Sequence, residues 1–161
     1  EFALVGRVGP GWPLEVKPLF QEPLVLAVAP GHPLAREARP DLHTLAAHTL
    51  LLREPPVLGH KRVLGILEDA GVHPRVLELG STEAVKSGAV AGSGAAVLPR
   101  TTIADEIAAG TLVACSVTGF RPFRTVYLTW LSRSPLSPVA ESFVRLVQGS
   151  AADLEPLPRS A

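Results

Sequence analysis

Chemistry in a chain begins with its nucleophiles, its metal ligands and its anion-binding turns. The five histidines stand at His32, His43, His48, His60 and His73. The closest pair, His43 and His48, is five apart, which turns their rings about 140° from each other on a helix. No cysteine or carboxylate spacing completes a metal site around them, so they read as exposed or packing side chains and no metal is expected. Cys115 is the single cysteine, lies in an apolar stretch without a neighbouring His or base, and reads as a buried small hydrophobe. Ala91-Gly92-Ser93-Gly94-Ala95 looks like a nucleophile elbow but lacks its leading glycine. It also runs from helix to strand, the reverse of what an elbow or a dinucleotide-binding turn needs. Its glycines read instead as a tight turn that lets a helix pack closely on a sheet. No catalytic constellation and no cofactor site emerge.

Two turns do carry the pattern of a ligand site. Glu54-Pro55-Pro56-Val57-Leu58-Gly59 joins an apolar run to an amphipathic segment that starts near His60, and Gly80-Ser81-Thr82 joins the next strand to the next helix. Each places a helix N-terminus at the carboxyl end of a strand, where unpaired backbone N–H groups face outward. The Ser81 and Thr82 hydroxyls, with Arg53, Lys61 and Arg62 close in sequence, would suit a small anion. The competing reading, equally open at this stage, is that Ser81 and Thr82 simply cap their helix.

The elements that must hold these turns alternate between strand and helix, the pattern of an α/β domain. Strands are predicted over Phe2–Val5, in a short extended piece through Leu14, Val16 and Leu19-Phe20, and over Leu24–Ala29. Further strands are predicted over Thr49–Leu52, Val76–Leu79, Ala95–Leu98, Leu112–Val117 and Thr125–Trp130. A short helix follows Asp41. The clearest helix runs from about His60 to Ala70, with Val63, Ile66, Leu67 and Ala70 on one face and Gly71 as its left-handed cap. Others are expected from Ser81/Thr82 to Ala91, from Thr102 to Ala109, and from Ser137-Pro138 onward. The last has Val139, Ala140, Phe143, Val144 and Val147 as its apolar face.

The chain has 161 residues, 47% of them apolar, with 15 Lys+Arg balancing 15 Asp+Glu. That is too apolar for a disordered chain and long enough for a packed core. One cysteine excludes an internal disulfide. Zero net charge argues against nucleic acid as the direct partner of this piece, since a phosphate-binding module needs a basic excess. No apolar run approaches a membrane span, and no secretory signal opens the chain. Because the chain opens directly on a strand without Met, an upstream segment is expected to be missing.

The order of segments resembles the LysR-type transcriptional regulator family. The carrying residues are Phe2-Ala3-Leu4-Val5-Gly6, Pro18-Leu19, Glu22-Pro23 through Val28, and Gly31-His32-Pro33-Leu34-Ala35, the last being the most specific. Ala70-Gly71-Val72-His73-Pro74, Glu78 through Lys86, Val90 through Pro99, Gly110-Thr111-Leu112 and Ser134 through Pro138 with Phe143 agree in order and spacing. The resemblance extends over residues 1 to about 148. It implies a two-lobed α/β effector-binding domain like the type 2 periplasmic binding proteins, with the second lobe complete and the first partial. The expected parts are 1–26 (first lobe), 27–124 (second lobe), 125–149 (return to the first lobe) and 150–161 (a loose tail).

The family further implies a small-molecule effector held between the lobes. Val57, Leu58, Gly59, His60, Ser81 and Thr82 would face it. Promoter DNA would be bound only through an absent N-terminal winged helix-turn-helix, in a cytoplasmic homo-oligomer that is a tetramer in the family. No enzyme activity, cofactor or membrane partner is expected. The alternatives are an extracytoplasmic solute-binding protein of the same architecture and, third, an enzyme on that fold dependent on Ser81 or His60.

Overall fold

A computed structural model describes residues 2–6, 9, 11, 13–55, 58–133 and 136–151. The chain divides into two compact units, residues 1–22 with 124–161, and residues 23–123.

The larger unit is built on a sheet whose two faces are both covered. Its strands are the distal part of β2 (Leu14–Val28), then β3 (Leu50–Arg53), β4 (Val76–Leu79), β5 (Ala95–Pro99) and β6 (Val113–Cys115). β3 lies between β4 and β5 and is parallel to both, whereas β2 is antiparallel to β5 and to β6. Successive side chains of a strand leave opposite faces, and the sequence fills both with apolar groups. Leu24, Leu26 and Val28 join Leu50, Leu52, Ala95 and Val97 on one face. There they pack against Val63 and Leu67 of α2 (Leu58–Asp69) and Leu45 of α1 (Leu42–Ala46). Ala27, Leu51, Ala96 and Leu98 face the other way. They meet Val85 and Ala89 of α3 (Thr82–Val90), with Ile103 ahead of α4 (Ala104–Ala108) and Leu112 beyond it. Runs such as Leu50-Leu51-Leu52 are therefore apolar without alternation, as a doubly covered parallel strand requires.

Helix ends follow their capping residues. Asp41 Oδ1 accepts the Thr44 N–H at 2.7 Å, and Ser81 Oγ accepts that of Ala84 at 3.0 Å. Gly71, at φ 66°, closes α2 in the left-handed conformation. The Val72 N–H then donates to Leu67 O at 2.8 Å, which satisfies a terminal carbonyl of the helix. Gly94 has a different task. A Cβ there would stand 2.4 Å from the Thr49 carbonyl oxygen and 3.2 Å from Leu51 Cγ. Only glycine lets the turn after α3 lie against the start of β3.

The smaller unit contains β1 (Phe2–Val5), β7 (Phe123–Leu131) from Arg124 onward, the proximal part of β2, and α5 (Pro138–Ala151). β1 is antiparallel to β7, with Phe2 opposite Trp130 and Val5 opposite Tyr127. Phe143 of α5 stacks on Phe2 with ring centroids 4.7 Å apart, and Arg124 Nε donates to Glu22 Oε2 at 2.6 Å.

Several expectations need correction. The extended piece ending at Phe20 and the strand beginning at Leu24 are one 15-residue strand; Pro23 does not break it, because proline is tolerated in extended backbone where no ladder N–H is needed. The helix expected over 102–109 is a 3₁₀ turn, Arg100–Ile103, followed by α4. The strand expected over Leu112–Val117 shortens to three residues, although Leu112 is buried. On α5, Val144 is buried but Val139 is 80% exposed and Phe143 half-exposed; helical periodicity marks an apolar stripe without fixing how much of it neighbouring strands cover. Cys115 is half-buried and its thiol donates to Leu34 O at 3.5 Å; burial pushes its pKa up. The tail expected over 150–161 starts inside α5 and from residue 152 lies outside the described residues.

Candidate functional site

The parallel strands β3 and β4 run in register, with Leu52 opposite Glu78 and Arg53 opposite Leu79. Their carboxyl ends therefore open on one edge of the larger unit. From that edge β3 leads to α2 and β4 leads to α3, so two helix N-termini stand above neighbouring strands. This is the ligand-binding edge of open α/β sheets. Val57 falls outside the described residues, and of Leu58 only its place as the first residue of α2 is described.

Gly59 and His60 follow in the first turn of α2 and are both buried. A Cβ at Gly59 would come within 2.8 Å of Leu24 Cδ1, so this glycine lets the helix start close against β2. The His60 ring is held rather than free. Its Nε2 lies 2.6 Å from Glu78 Oε1, and the side chains are 7% and 45% exposed respectively. The bond ties the first turn of α2 to the edge strand β4. Ser81 and Thr82 occupy the corresponding place on α3. The Ser81 hydroxyl accepts the Ala84 N–H and its carbonyl accepts that of Val85 at 3.1 Å. The N–H groups of Thr82 and Glu83 precede the first N–H bonded along the helix, that of Val85, and so have no acceptor within it.

Gly59, His60, Ser81 and Thr82 thus stand at one sheet edge, but three of them, Gly59, His60 and Ser81, have structural work there as well. Sequence reasoning missed Glu78, which a strand pattern shows only as a polar residue. Glu54, named only as the first residue of its turn, also links the two strands' ends: its N–H donates to Leu79 O at 3.0 Å, and its Oε1 would be 3.3 Å from a Cβ at Gly80. Behind the edge, Lys86 of α3 bridges Glu83 at 3.2 Å and Glu106 of α4 at 3.0 Å. The hydrogen bond from Lys86 is the main cause of the lowered Glu106 pKa, with a backbone hydrogen bond adding to it. The same two carboxylates raise that of Lys86, Glu106 most. The Glu83/Lys86 spacing of three is legible in a helix; the Glu106 contact across helices is not.

Among the described residues no cluster of three or more His, Cys, Asp or Glu could hold a metal, and no helix is long and apolar enough to cross a membrane. His32 and His48 meet instead, with ring centroids 4.8 Å apart. His32 Nδ1 accepts the Leu34 N–H at 3.2 Å. Burial, and then the neighbouring His48, lower the His32 pKa.

Fold and edge together define a ligand-binding α/β domain, and the solved structures it resembles fix its kind. The regulatory domain of CcmR from Synechocystis, solved in complex with 2-PG, superimposes with a TM-score of 0.80 at 26% identity, over 96% of this chain and 74% of that one. The fold is that of the type 2 periplasmic binding proteins. Residues 1–152 match the family described as the LysR substrate binding domain, and the chain belongs to that family. The transcriptional regulator CbbR of Rhodospirillum rubrum is 32% identical over 83% of this chain and 44% of its own length. The RuBisCO operon transcriptional regulator of Acidithiobacillus ferrooxidans is 32% identical over 83% of this chain and 43% of its own length. The chain thus spans less than half the length of these curated relatives. They are transcriptional regulators, which does not favour the solute-binding alternative.

Proposed function

We propose that this chain is the effector-sensing part of a LysR-type transcriptional regulator, with residues 1–26 and 125–149 forming part of a first lobe and 27–124 a second. The observation that carries this reading is the family match over nearly the whole chain, joined to relatives that are named regulators. The intact protein acts in the cytoplasm as a homo-oligomer. It binds promoter DNA through a winged helix-turn-helix outside this sequence and catalyses no reaction.

The effector is a small anion met by the first turns of α2 and α3, with Val57, Leu58, Gly59, His60, Ser81 and Thr82 as its contacts. Supporting this are the two helix N-termini on one sheet edge and the 2-PG held by the CcmR domain. A ligand of this kind acts by favouring one of two pre-existing states, with a coupling of about 1–3 kcal/mol.

The test is titration of the chain with 2-PG and inorganic phosphate, followed by backbone amide resonances. Shifts concentrated at residues 58–60 and 81–83 are expected. Saturable binding that leaves those amides unmoved would refute the site, and a promoter footprint of the intact protein insensitive to every anion tried would refute the sensing role.

A further inference from the structure

The edge that would receive an anion already contains one. Glu78 sits at the third position of β4, opposite Leu52, and its Oε1 reaches His60 Nε2, in the first turn of α2, at 2.6 Å. A carboxylate so placed complements the positive end of the helix and accepts a hydrogen bond from a side chain of its first turn, which is what a bound anion would do there. The two partners are unequally fixed. His60 is 7% exposed and rooted in a helix whose next turns carry Val63 and Leu67 into the core, whereas Glu78 is 45% exposed on an edge strand. Of the two, only the glutamate has room to swing away.

We propose that Glu78 is a built-in competitor for the anion site at the first turn of α2: it occupies His60 in the empty protein, and an incoming anion must displace it and still bind against its nearby charge. The proposal rests on the anion-site reading above and assigns that site its threshold. Other charges along the same stretch are Arg53, Lys61 and Arg62 against Glu54. Arg62 is stacked over the Phe123 ring at 3.7 Å, so its position is set by that ring as well as by any ligand. A like charge about 7 Å from a bound anion, at an effective permittivity near 40, opposes binding by roughly eightfold. Salt at physiological strength reduces this to about two- to threefold.

The experiment compares the wild-type chain with Glu78→Gln, titrating inorganic phosphate at low ionic strength and reading backbone amides and the His60 imidazole ¹⁵N signals. Glutamine keeps an oxygen that can accept the His60 Nε2–H, so the helix–strand tie stays while the charge goes. The expected result is about five- to eightfold tighter phosphate binding in Glu78→Gln, centred on residues 58–60. In the wild type, the His60 ring signals should move during the titration as Glu78 is displaced; this second readout stands even if the variant does not fold. Equal or weaker binding in Glu78→Gln, or a wild-type His60 ring that stays unchanged while residues 58–60 respond, overturns the competitor and leaves the anion site standing. Silence of residues 58–60 and 81–83 in both proteins overturns the site and the competitor together.

Discussion

Gly94→Ala should be the most damaging single-methyl change in the larger unit. The added Cβ would lie 2.4 Å from the Thr49 carbonyl oxygen and 3.2 Å from Leu51 Cγ and Cδ2. A carbon and a carbonyl oxygen need about 3.2 Å or more, so one backbone must retreat by close to 1 Å. The Thr49 oxygen cannot yield cheaply, because it accepts the Ala95 N–H at 2.9 Å and so joins the start of β5 to the start of β3. Leu51, immediately beyond, is fully buried between α3 and the sheet. Overpacking of this kind costs about 1–3 kcal/mol, and strain on a ladder hydrogen bond adds about 1 more, so about 3 kcal/mol is expected.

The assay is urea unfolding followed at the amide resonances of Leu51 and Ala95, which report the larger unit alone. With a slope near 1.5 kcal/mol/M, the midpoint should fall by about 2 M. Gly65→Ala is the matched control. Nothing stands within 4 Å of its Cβ position in the middle of α2, so the same methyl should stabilise by about 0.5–1 kcal/mol. A Gly94→Ala midpoint within 0.3 M of the wild type (roughly the resolution of the extrapolation) would refute the packing argument.

Ser81→Ala should lose the α3 cap and about 1 kcal/mol of stability, while Ser81→Asp should keep the cap yet abolish the phosphate-induced shifts at residues 81–83; retained shifts in Ser81→Asp would refute the anion reading of that turn. Because the His32 pKa is lowered, the unfolded chain binds protons there before the folded one does, so stability should fall as pH drops below about 6.5. His32→Asn, which can still cap, should flatten that slope in thermal melts at pH 7.5 and 5.5; parallel slopes would refute it. Lys86→Met should raise the Glu106 titration midpoint, seen by carboxyl ¹³C shifts, and weaken the α3–α4 packing; an unmoved midpoint would show that the ion pair does not hold the carboxylate.

What the sequence discloses here is local. Asp41, Ser81 and Ser137 announce helix starts because each supplies an acceptor for an N–H three residues on, and Ala140 N–H does reach Ser137 Oγ at 3.2 Å. Gly71 and the apolar face of α2 are legible for the same reason. The continuity of β2 is not, since Gln21-Glu22-Pro23 breaks both the apolar run and the alternation while the backbone stays extended. The site divides in the same way. Both turns can be read because strand-to-helix junctions are local patterns, but the His60–Glu78 bond joins residues 18 apart. It becomes visible only once β4 is laid beside β3 and α2 is packed over them. Apolar exposure on α5 is a further case, for Val139 and Val144 share a stripe and differ from 80% to 7% in exposure.

The division of the chain into a continuous stretch, 23–123, and a unit made from both flanks has a consequence for synthesis. The larger unit ends at Phe123, so all of its residues are synthesised before Arg124 and the rest of the smaller unit's second flank. β1 must wait, because Phe2 pairs with Trp130, the far end of a loop whose closure in a free chain is entropically unfavourable. Once the larger unit is folded, that loop is no longer free. Glu22 and Arg124, which flank it, sit within one hydrogen bond of each other, so the flanks that remain to be joined are short. The smaller unit is thus assembled last. Mutations that unfold the larger unit, Gly94→Ala first among them, should delay β1–β7 pairing without touching either strand.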